Sequence, residues 1–206
     1  MPVIKRIQYN SPVILSYALL SLIICGIGYL TKGASNTLLF SIYRSSPADP
    51  LTYVRLFGHV LGHKDINHCF GNFLLILLVG PMLEEKYGSV RILLIMLITS
   101  VITGGIFLLV AGSRALLGAS GIAFMLILLS SFANFKRGRI PLTLVVVIIA
   151  YIGNEVYQSF TASDNISRLT HIVGGLCGAA AGFFINLSRM QAEDNSVPAE
   201  SQTIES

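Results

Sequence analysis

Six long apolar runs dominate the sequence and leave few folds open to it. They cover residues 13–31, 66–83, 90–112, 119–135, 141–158 and 170–187. A bilayer core about 30 Å thick requires roughly 20 apolar residues for each helical crossing. With 53% hydrophobic and only 12% charged residues, the chain is too apolar for an ordinary soluble domain. The sequence therefore predicts an all-α polytopic membrane protein with six transmembrane helices.

Composition and charge divide the chain into three segments and orient it. Residues 1–12 form a short N-terminal segment, residues 13–187 the six-helix membrane domain, and residues 188–206 a polar tail predicted to be disordered. Positive residues stay on the cytoplasmic side when loops are short, and here they favour alternate connections, which places both termini in the cytoplasm. The residues on that side are Lys5, Arg6, Lys86, Arg91, Lys136, Arg137, Arg139 and Arg189.

The remaining composition argues against a nucleic-acid partner and gives the cysteines a structural interpretation. The net charge of +4 is explained by the positive residues of the cytoplasmic connections. No basic cluster alternates with aromatic residues, so no nucleic-acid partner is expected. Cys25, Cys69 and Cys177 lie in apolar runs without Cys-x-x-Cys spacing, and we interpret them as small buried side chains.

Four polar side chains interrupt these apolar runs: His68, Asn72, Ser120 and His171. A membrane interior offers them no water, so a chain that keeps them there usually uses them. They lie in the first turns of the second, fourth and sixth runs, which all enter from the outer side in the predicted topology. The sequence therefore predicts one polar site near the outer membrane face.

The residue types at this site suit nucleophilic catalysis. A serine hydroxyl such as that of Ser120 is a weak nucleophile until a nearby base takes its proton, and the imidazole of His171 suits that task near neutral pH. His68 and Asn72 are four residues apart and share one helix face. They can donate hydrogen bonds to an oxyanion, together with backbone amides at Ser120 and Gly121.

Glycines surround both candidate catalytic residues. Gly118 and Gly121 flank Ser120 and would let another backbone or a substrate come close. Gly174 and Gly178 follow His171 at helical spacing and predict close packing against a partner helix.

A metal site is the main alternative chemistry. His59, His63 and His68 include histidines at i and i+4, a spacing that can bind zinc. The sequence has no His-Glu-x-x-His string and no pair of intramembrane aspartates, so no metal is expected. His59 and His63 are interpreted as structural residues that bond backbone groups of the first loop.

Taken in order, these motifs resemble the rhomboid family of intramembrane serine proteases, and the resemblance spans nearly the whole six-helix region. Any one string is weak evidence, but all of them lie on the expected helices. The strings are His59-Val-Leu-Gly-His63, His68-Cys-Phe-Gly-Asn72, Gly80-Pro-Met-Leu-Glu84 with Gly88, Gly118-Ala-Ser120-Gly121, and His171 with Gly174 and Gly178.

The resemblance implies a Ser–His dyad, with Ser120 as nucleophile, His171 as general base, and His68 and Asn72 at the oxyanion. It implies no metal or organic cofactor. The expected substrates are single-pass or polytopic transmembrane proteins of the same lipid bilayer, cut near its outer face. The short loops suit a bacterial inner membrane with the site open to the outer side.

Three positions depart from the family pattern. The first loop usually carries Trp-Arg, whereas the matching place here reads Tyr53-Val-Arg55, so the arginine fits and the tryptophan does not. Thr170 precedes His171 where alanine is common, and Phe124 stands where a tyrosine often stacks on the dyad histidine. A phenyl ring can still stack. Arg55 is expected to bond loop carbonyls, and Glu84 to cap a helix end or pair with a basic residue.

Two further hypotheses stay open at this stage. A rhomboid-like pseudoprotease would bind transmembrane helices without cutting them, although every dyad and oxyanion position is filled here. A small transporter could use His59, His63 and His68 as a proton or metal path, and its activity would be indifferent to Ser120→Ala.

Overall fold

The computed structural model describes residues 8–110, 112–133, 139–140, 142–143, 145–146, 149–150 and 165–196. The elements, in chain order, are α1 (Pro12–Leu30), a short π-helix (Asn36–Phe40), β1 (Ile42–Tyr43), α2 (Pro50–Gly58), α3 (Ile66–Tyr87), α4 (Ser89–Val110), β2 (Ala115–Leu116), α5 (Ser120–Ser131) and α6 (Asn165–Ser196).

Four of the described helices are long and apolar enough to cross a membrane: α1, α3, α4 and α6. They coincide with the first, second, third and sixth predicted runs, so the all-α membrane character is confirmed. Most of the fifth predicted run, residues 141–158, lies outside the described residues. Six crossings and cytoplasmic termini therefore stay predictions.

The fourth predicted run, residues 119–135, is too long. Helix α5 has 12 residues, about 18 Å at 1.5 Å per residue, and its side chains are largely buried on all sides, as in a central helix. It ends at Ser131 because the hydroxyls of Ser130 and Ser131 both donate to the Ile127 carbonyl and compete with the backbone. The Asn186 amide of α6 then donates to the Phe132 carbonyl at 3.2 Å.

The last helix continues beyond the predicted end at residue 187. Helix α6 runs to Ser196, through part of the segment predicted to be disordered. This stretch is rich in good helix formers, and Arg189 anchors it, with its guanidinium carbon 5.4 Å from the Tyr87 ring centroid. The prediction of disorder from residue 188 onward is therefore wrong as far as residue 196, and residues 197–206 lie outside the described residues.

Helices α5 and α6 pack backbone against backbone. A Cβ atom at Gly174 would lie 2.2 Å from the Gly121 carbonyl oxygen, and one at Gly178 would lie 2.0 Å from the Met125 carbonyl oxygen. Both distances are far below any real carbon contact, so only glycine fits. The glycine spacing thus brings the start of α5 against the start of α6, as the sequence predicted.

The first loop anchors the segment that leads into α5. Strands β1 and β2 pair antiparallel, with Ile42 opposite Leu116, and the Gly118 amide donates to the His59 carbonyl at 2.9 Å. Arg55 holds the loop itself, since its Nε donates to the Leu38 carbonyl at 2.9 Å. These contacts position Leu116 and Gly118, in the segment that leads to Ser120.

Glu84 links the end of α3 to the start of α1. It is buried in α3, and its carboxylate accepts from the Val13 and Ile14 amides at 3.0 and 2.9 Å and from the Ser89 hydroxyl at 2.7 Å. The first amides of a helix lack partners within it, and a carboxylate there also favours the helix dipole. Glu84 therefore caps α1, a helix other than its own.

We expect Gly178→Ala to lower the free energy of unfolding of the purified protein by about 1–3 kcal/mol, because the new methyl group must push α6 away from α5. The measurement is thermal unfolding in detergent. Gly105→Ala in α4 is the matched control, since a Cβ there meets nothing within 4 Å and should be neutral or slightly stabilising. Equal melting temperatures for the two variants would contradict the close packing.

Removing the Glu84 carboxylate should also destabilise the protein. Glu84→Ala leaves the Val13 and Ile14 amides without their acceptor, at a cost of about 1–3 kcal/mol for each buried donor left unpaired. Hydrogen exchange should show faster exchange at the first turn of α1, whereas Glu85→Ala, a neighbouring exposed carboxylate, should leave exchange there unchanged.

Candidate active site

Ser120 and His171 are in hydrogen-bonding contact. The Ser120 Oγ lies 2.9 Å from the His171 Nε2, within the reach that proton transfer requires. Ser120 is the first residue of α5, and His171 lies in the second turn of α6. Both side chains are half-buried, so they are sheltered by the protein without being sealed from small molecules.

Phe124 packs against the histidine. The two ring centroids are 4.8 Å apart with an interplanar angle of 39°, a tilted contact within the usual range for aromatic pairs. Phe124 lies one helical turn after Ser120, so α5 supplies both the hydroxyl and the ring that restrains its partner. The phenyl ring thus stands where the sequence comparison expected a stacking tyrosine.

His68 lies beside the loop that precedes Ser120. A Cβ atom built on Gly118 would lie 2.8 Å from the His68 Cε1, and Gly118 has a φ of 139°, a backbone conformation that favours glycine. Both the conformation and the contact therefore require glycine at this position. The structure brings His68 and Gly118 together at the entrance to α5.

Asn72 is oriented by His63. The Asn72 Nδ2 lies 3.2 Å from the His63 Nε2, and the Ala119 amide donates to the same nitrogen at 3.4 Å. The His63 Nδ1 lies 3.2 Å from the Leu61 carbonyl, which can only accept, so Nδ1 carries the proton and Nε2 is the acceptor. One neutral imidazole thus positions an oxyanion candidate and the backbone next to the serine.

The first-loop histidines are held uncharged. Burial lowers the pKa of His63 to about 4, and the nearby His68 lowers it further in the same direction. Burial likewise lowers the pKa of His59 to about 4, and its Nδ1 lies 3.1 Å from the Leu56 carbonyl. Both residues bond first-loop backbone groups, the structural role that the sequence suggested.

The start of α5 provides additional donors. The first amides of a helix have no acceptor within it, and those of Ser120 and Gly121 occupy this place in α5. A Cβ on Gly121 would meet Thr103 and Thr170 at 3.5 and 3.6 Å, so the backbone here is closely surrounded. The positive end of the α5 dipole points toward the serine hydroxyl.

Among the described residues, no group of three histidine, cysteine or acidic side chains is placed to hold a metal ion. His63 and His68 are neighbours, with ring centroids 5.3 Å apart, but the His59 Nδ1 faces the Arg55 and Leu56 carbonyls instead. The remaining supporting residues, Arg55 and Glu84, serve the first loop and the cap of α1 and lie outside the group around Ser120.

One member of this network was missed in the sequence. The Asn36 Nδ2 donates to the His63 carbonyl at 2.9 Å, and a Cβ on Gly28 would lie 2.9 Å from that nitrogen. The sequence carried only a weak signal, a single asparagine after an apolar helix, because its partner lies 27 residues further along the chain.

Comparison with known proteins decides the family. Residues 50–188 match the rhomboid domain, which covers more than half of the chain. The chain belongs to the rhomboid family. The match begins at α2 and ends inside α6, so it contains Ser120, His171, His68 and Asn72, while α1 precedes it.

A curated relative gives the same result. Rhomboid-related protein 2 of mouse is 27% identical over 157 residues, which is 66% of this chain and 52% of the relative. This rhomboid chain thus spans about half the length of the curated relative it matches.

The low pKa of the two histidines predicts how stability depends on pH. The unfolded chain takes up protons near pH 6.5 and the folded chain only near pH 4, so the unfolded state binds more protons between these values. Stability should therefore be full above about pH 6.5 and fall as the pH drops toward about 4. The measurement is the melting temperature in detergent between about pH 7 and 5, above the range of most carboxyl groups.

His63→Gln removes one of the two groups from this linkage. The variant should be less stable at pH 7 but show a shallower decline between about pH 7 and 5, because it has lost one of the groups that the fold holds uncharged. A variant whose melting temperature declines as steeply as that of the wild type would show that His63 is not held neutral in the fold.

Proposed function

We propose that this chain is an intramembrane serine endopeptidase that cuts transmembrane proteins near one membrane face. The observation that carries the proposal is the 2.9 Å contact between the Ser120 Oγ and the His171 Nε2, within a member of the rhomboid family. Each further feature of the site supports a step of peptide-bond hydrolysis.

In the first step, His171 Nε2 accepts the Ser120 proton while Oγ attacks the carbonyl carbon of the scissile bond. The tetrahedral intermediate collapses when the imidazolium returns that proton to the leaving amine, and the serine is left acylated. A water molecule, deprotonated by the same imidazole, then releases the acid and restores the hydroxyl. The half-buried position of both side chains is compatible with entry of this water.

The proposed oxyanion site combines side chains and backbone. In this proposal, Asn72, His68 and the first amides of α5 donate hydrogen bonds to the negative charge that develops next to Ser120 Oγ. Preorganised donors of this kind stabilise the transition state because they need no rearrangement during the reaction. The His63 contact with Asn72 Nδ2 leaves the second amide proton of Asn72 for the oxyanion.

The proposed substrate is a transmembrane protein with an extended backbone at the cut. A helical backbone keeps its carbonyls in its own hydrogen bonds, so small or helix-breaking residues favour attack. We place the site at the outer side of a bacterial inner membrane, in keeping with the charge of the loops. The main competing function is a rhomboid-like pseudoprotease that binds such helices without cutting them.

Cleavage of a generic transmembrane substrate by the purified protein in detergent tests the proposal. Ser120→Ala and His171→Ala should each reduce cleavage to background, and a chelator should have no effect. Asn72→Ala should lower kcat by about a hundredfold to a thousandfold with a smaller change in KM, as expected for a lost oxyanion donor. Lys86→Gln, at the opposite end of α3, is the control with normal activity.

The other outcomes separate the competing functions. If the wild-type protein binds the substrate and leaves it intact, the pseudoprotease function is supported and the protease function is rejected. Cleavage that survives in Ser120→Ala and stops with a chelator would reject the serine mechanism in favour of a metal.

A further inference from the structure

A pocket whose lining does not include Ser120 lies between the end of α1 and the start of α3. Its volume is about 770 Å³, and it is formed by one side of α1, the π-helix segment and residues 63–66. Helix α1 ends at Leu30 and α3 begins at Ile66, so the pocket opens where two membrane helices reach the same end of the bundle. We call it the α1–α3 pocket.

The mouth of the α1–α3 pocket is positively charged. Lys32 and Lys64 line it from the two chain segments, and both are exposed. The neighbouring Asp65 carboxylate is already engaged, since it accepts from the His68 amide at 2.8 Å as the N-cap of α3, and this bond lowers its pKa. The two lysines outnumber this single carboxylate, so the mouth has a net positive charge and favours an anionic ligand.

The side of the pocket that follows α1 is apolar. Cys25, Gly26, Tyr29 and Ile66 line it. A Cβ atom at Gly26 would meet nothing within 4 Å, so this side of the helix forms an open groove. A groove of this kind on a membrane-spanning helix fits a hydrocarbon chain, whereas a free anion would leave the groove unfilled.

A buried acceptor without a partner adjoins the charged mouth. Asn36 lines the pocket and is only 9% exposed. Its Nδ2 donates to the His63 carbonyl, but its Oδ1 is buried and has no hydrogen-bond partner among the described residues. Buried acceptors are rarely left unpaired, and a hydroxyl donor from a ligand would satisfy this one.

We propose that the α1–α3 pocket binds one anionic phospholipid of the phosphatidylglycerol type. Its phosphate pairs with Lys32 and Lys64, a glycerol hydroxyl donates to Asn36 Oδ1, and one acyl chain lies along Gly26. The cationic groups of phosphatidylethanolamine and phosphatidylcholine face the two lysines unfavourably, so net charge separates these lipids.

The pocket also adjoins the network around Ser120. Asn36 holds His63, and His63 in turn accepts from Asn72 and from the Ala119 amide. A lipid that restrains Asn36 therefore stabilises the donors next to the serine. This consequence rests on the proposed function, whereas lipid binding itself does not.

Native mass spectrometry of the purified full chain in detergent tests the binding, with phosphatidylglycerol, phosphatidylethanolamine or phosphatidylcholine of equal chain length added. We expect one phosphatidylglycerol to be retained preferentially and to raise the melting temperature. The double variant Lys32→Gln/Lys64→Gln should retain phosphatidylglycerol about tenfold less or weaker still, because each lysine strengthens binding to an anionic headgroup. Gly26→Leu should weaken retention of the lipid by filling the groove.

Matched controls keep the result specific. Lys86→Gln removes a lysine elsewhere on α3, and Gly105→Leu enlarges another helical glycine with open space around it; both should retain the lipid normally. Equal retention of phosphatidylcholine, or unchanged retention in the double variant, would overturn the proposal. If inorganic phosphate alone raised the melting temperature as much as the lipid does, the ligand of the pocket would be a simple anion and the lipid proposal would be rejected.

Substrate cleavage measured on the same samples separates the two proposals. A protein that retains phosphatidylglycerol but cuts no substrate keeps this inference and rejects the protease. A protein that cuts its substrate and shows no lipid preference keeps the protease and rejects this inference.

Discussion

The close approach of α5 and α6 is the constraint on which the rest of the site depends. Gly174 and Gly178 bring the backbone of α6 onto carbonyl oxygens of α5, at a separation that no residue with a Cβ atom allows. His171 lies one turn before Gly174, and Ser120 is adjacent to the residue that Gly174 touches. The hydrogen bond between the two side chains therefore follows from backbone packing, and its length is set by atoms that take no part in chemistry.

The second organising feature is a neutral polar framework in the first loop. His63 and His59 are buried, and each keeps a ring proton on Nδ1 facing a backbone carbonyl. Since burial disfavours the charged imidazole, each ring has one defined donor and one defined acceptor. A lysine or arginine at these positions could only donate. Histidine is thus suited to hold Asn72 and the chain before Ser120 in one fixed orientation.

The sequence predicted the parts of this arrangement that are written in local patterns. Apolar runs about 20 residues long identified four spans, and glycine spacing indicated where α6 packs. It did not predict that α5 stops at Ser131, because two serines that bond a preceding carbonyl look like ordinary apolar-run residues. Nor did it predict the partner of Glu84, which lies 70 residues earlier in the chain. Contacts between distant segments depend on the assembled bundle and leave no local signal.

The cap on α1 has a consequence for the order in which the protein is built. Helix α1 leaves the ribosome before α3, but the carboxylate that pairs with its leading amides belongs to Glu84 and becomes available only after most of α3 has been made. Until then, water must satisfy those amides. Helix α1 can therefore enter the membrane before α3 is complete yet reach its final position only afterwards, so that docking of α1 is a step of assembly separate from its insertion.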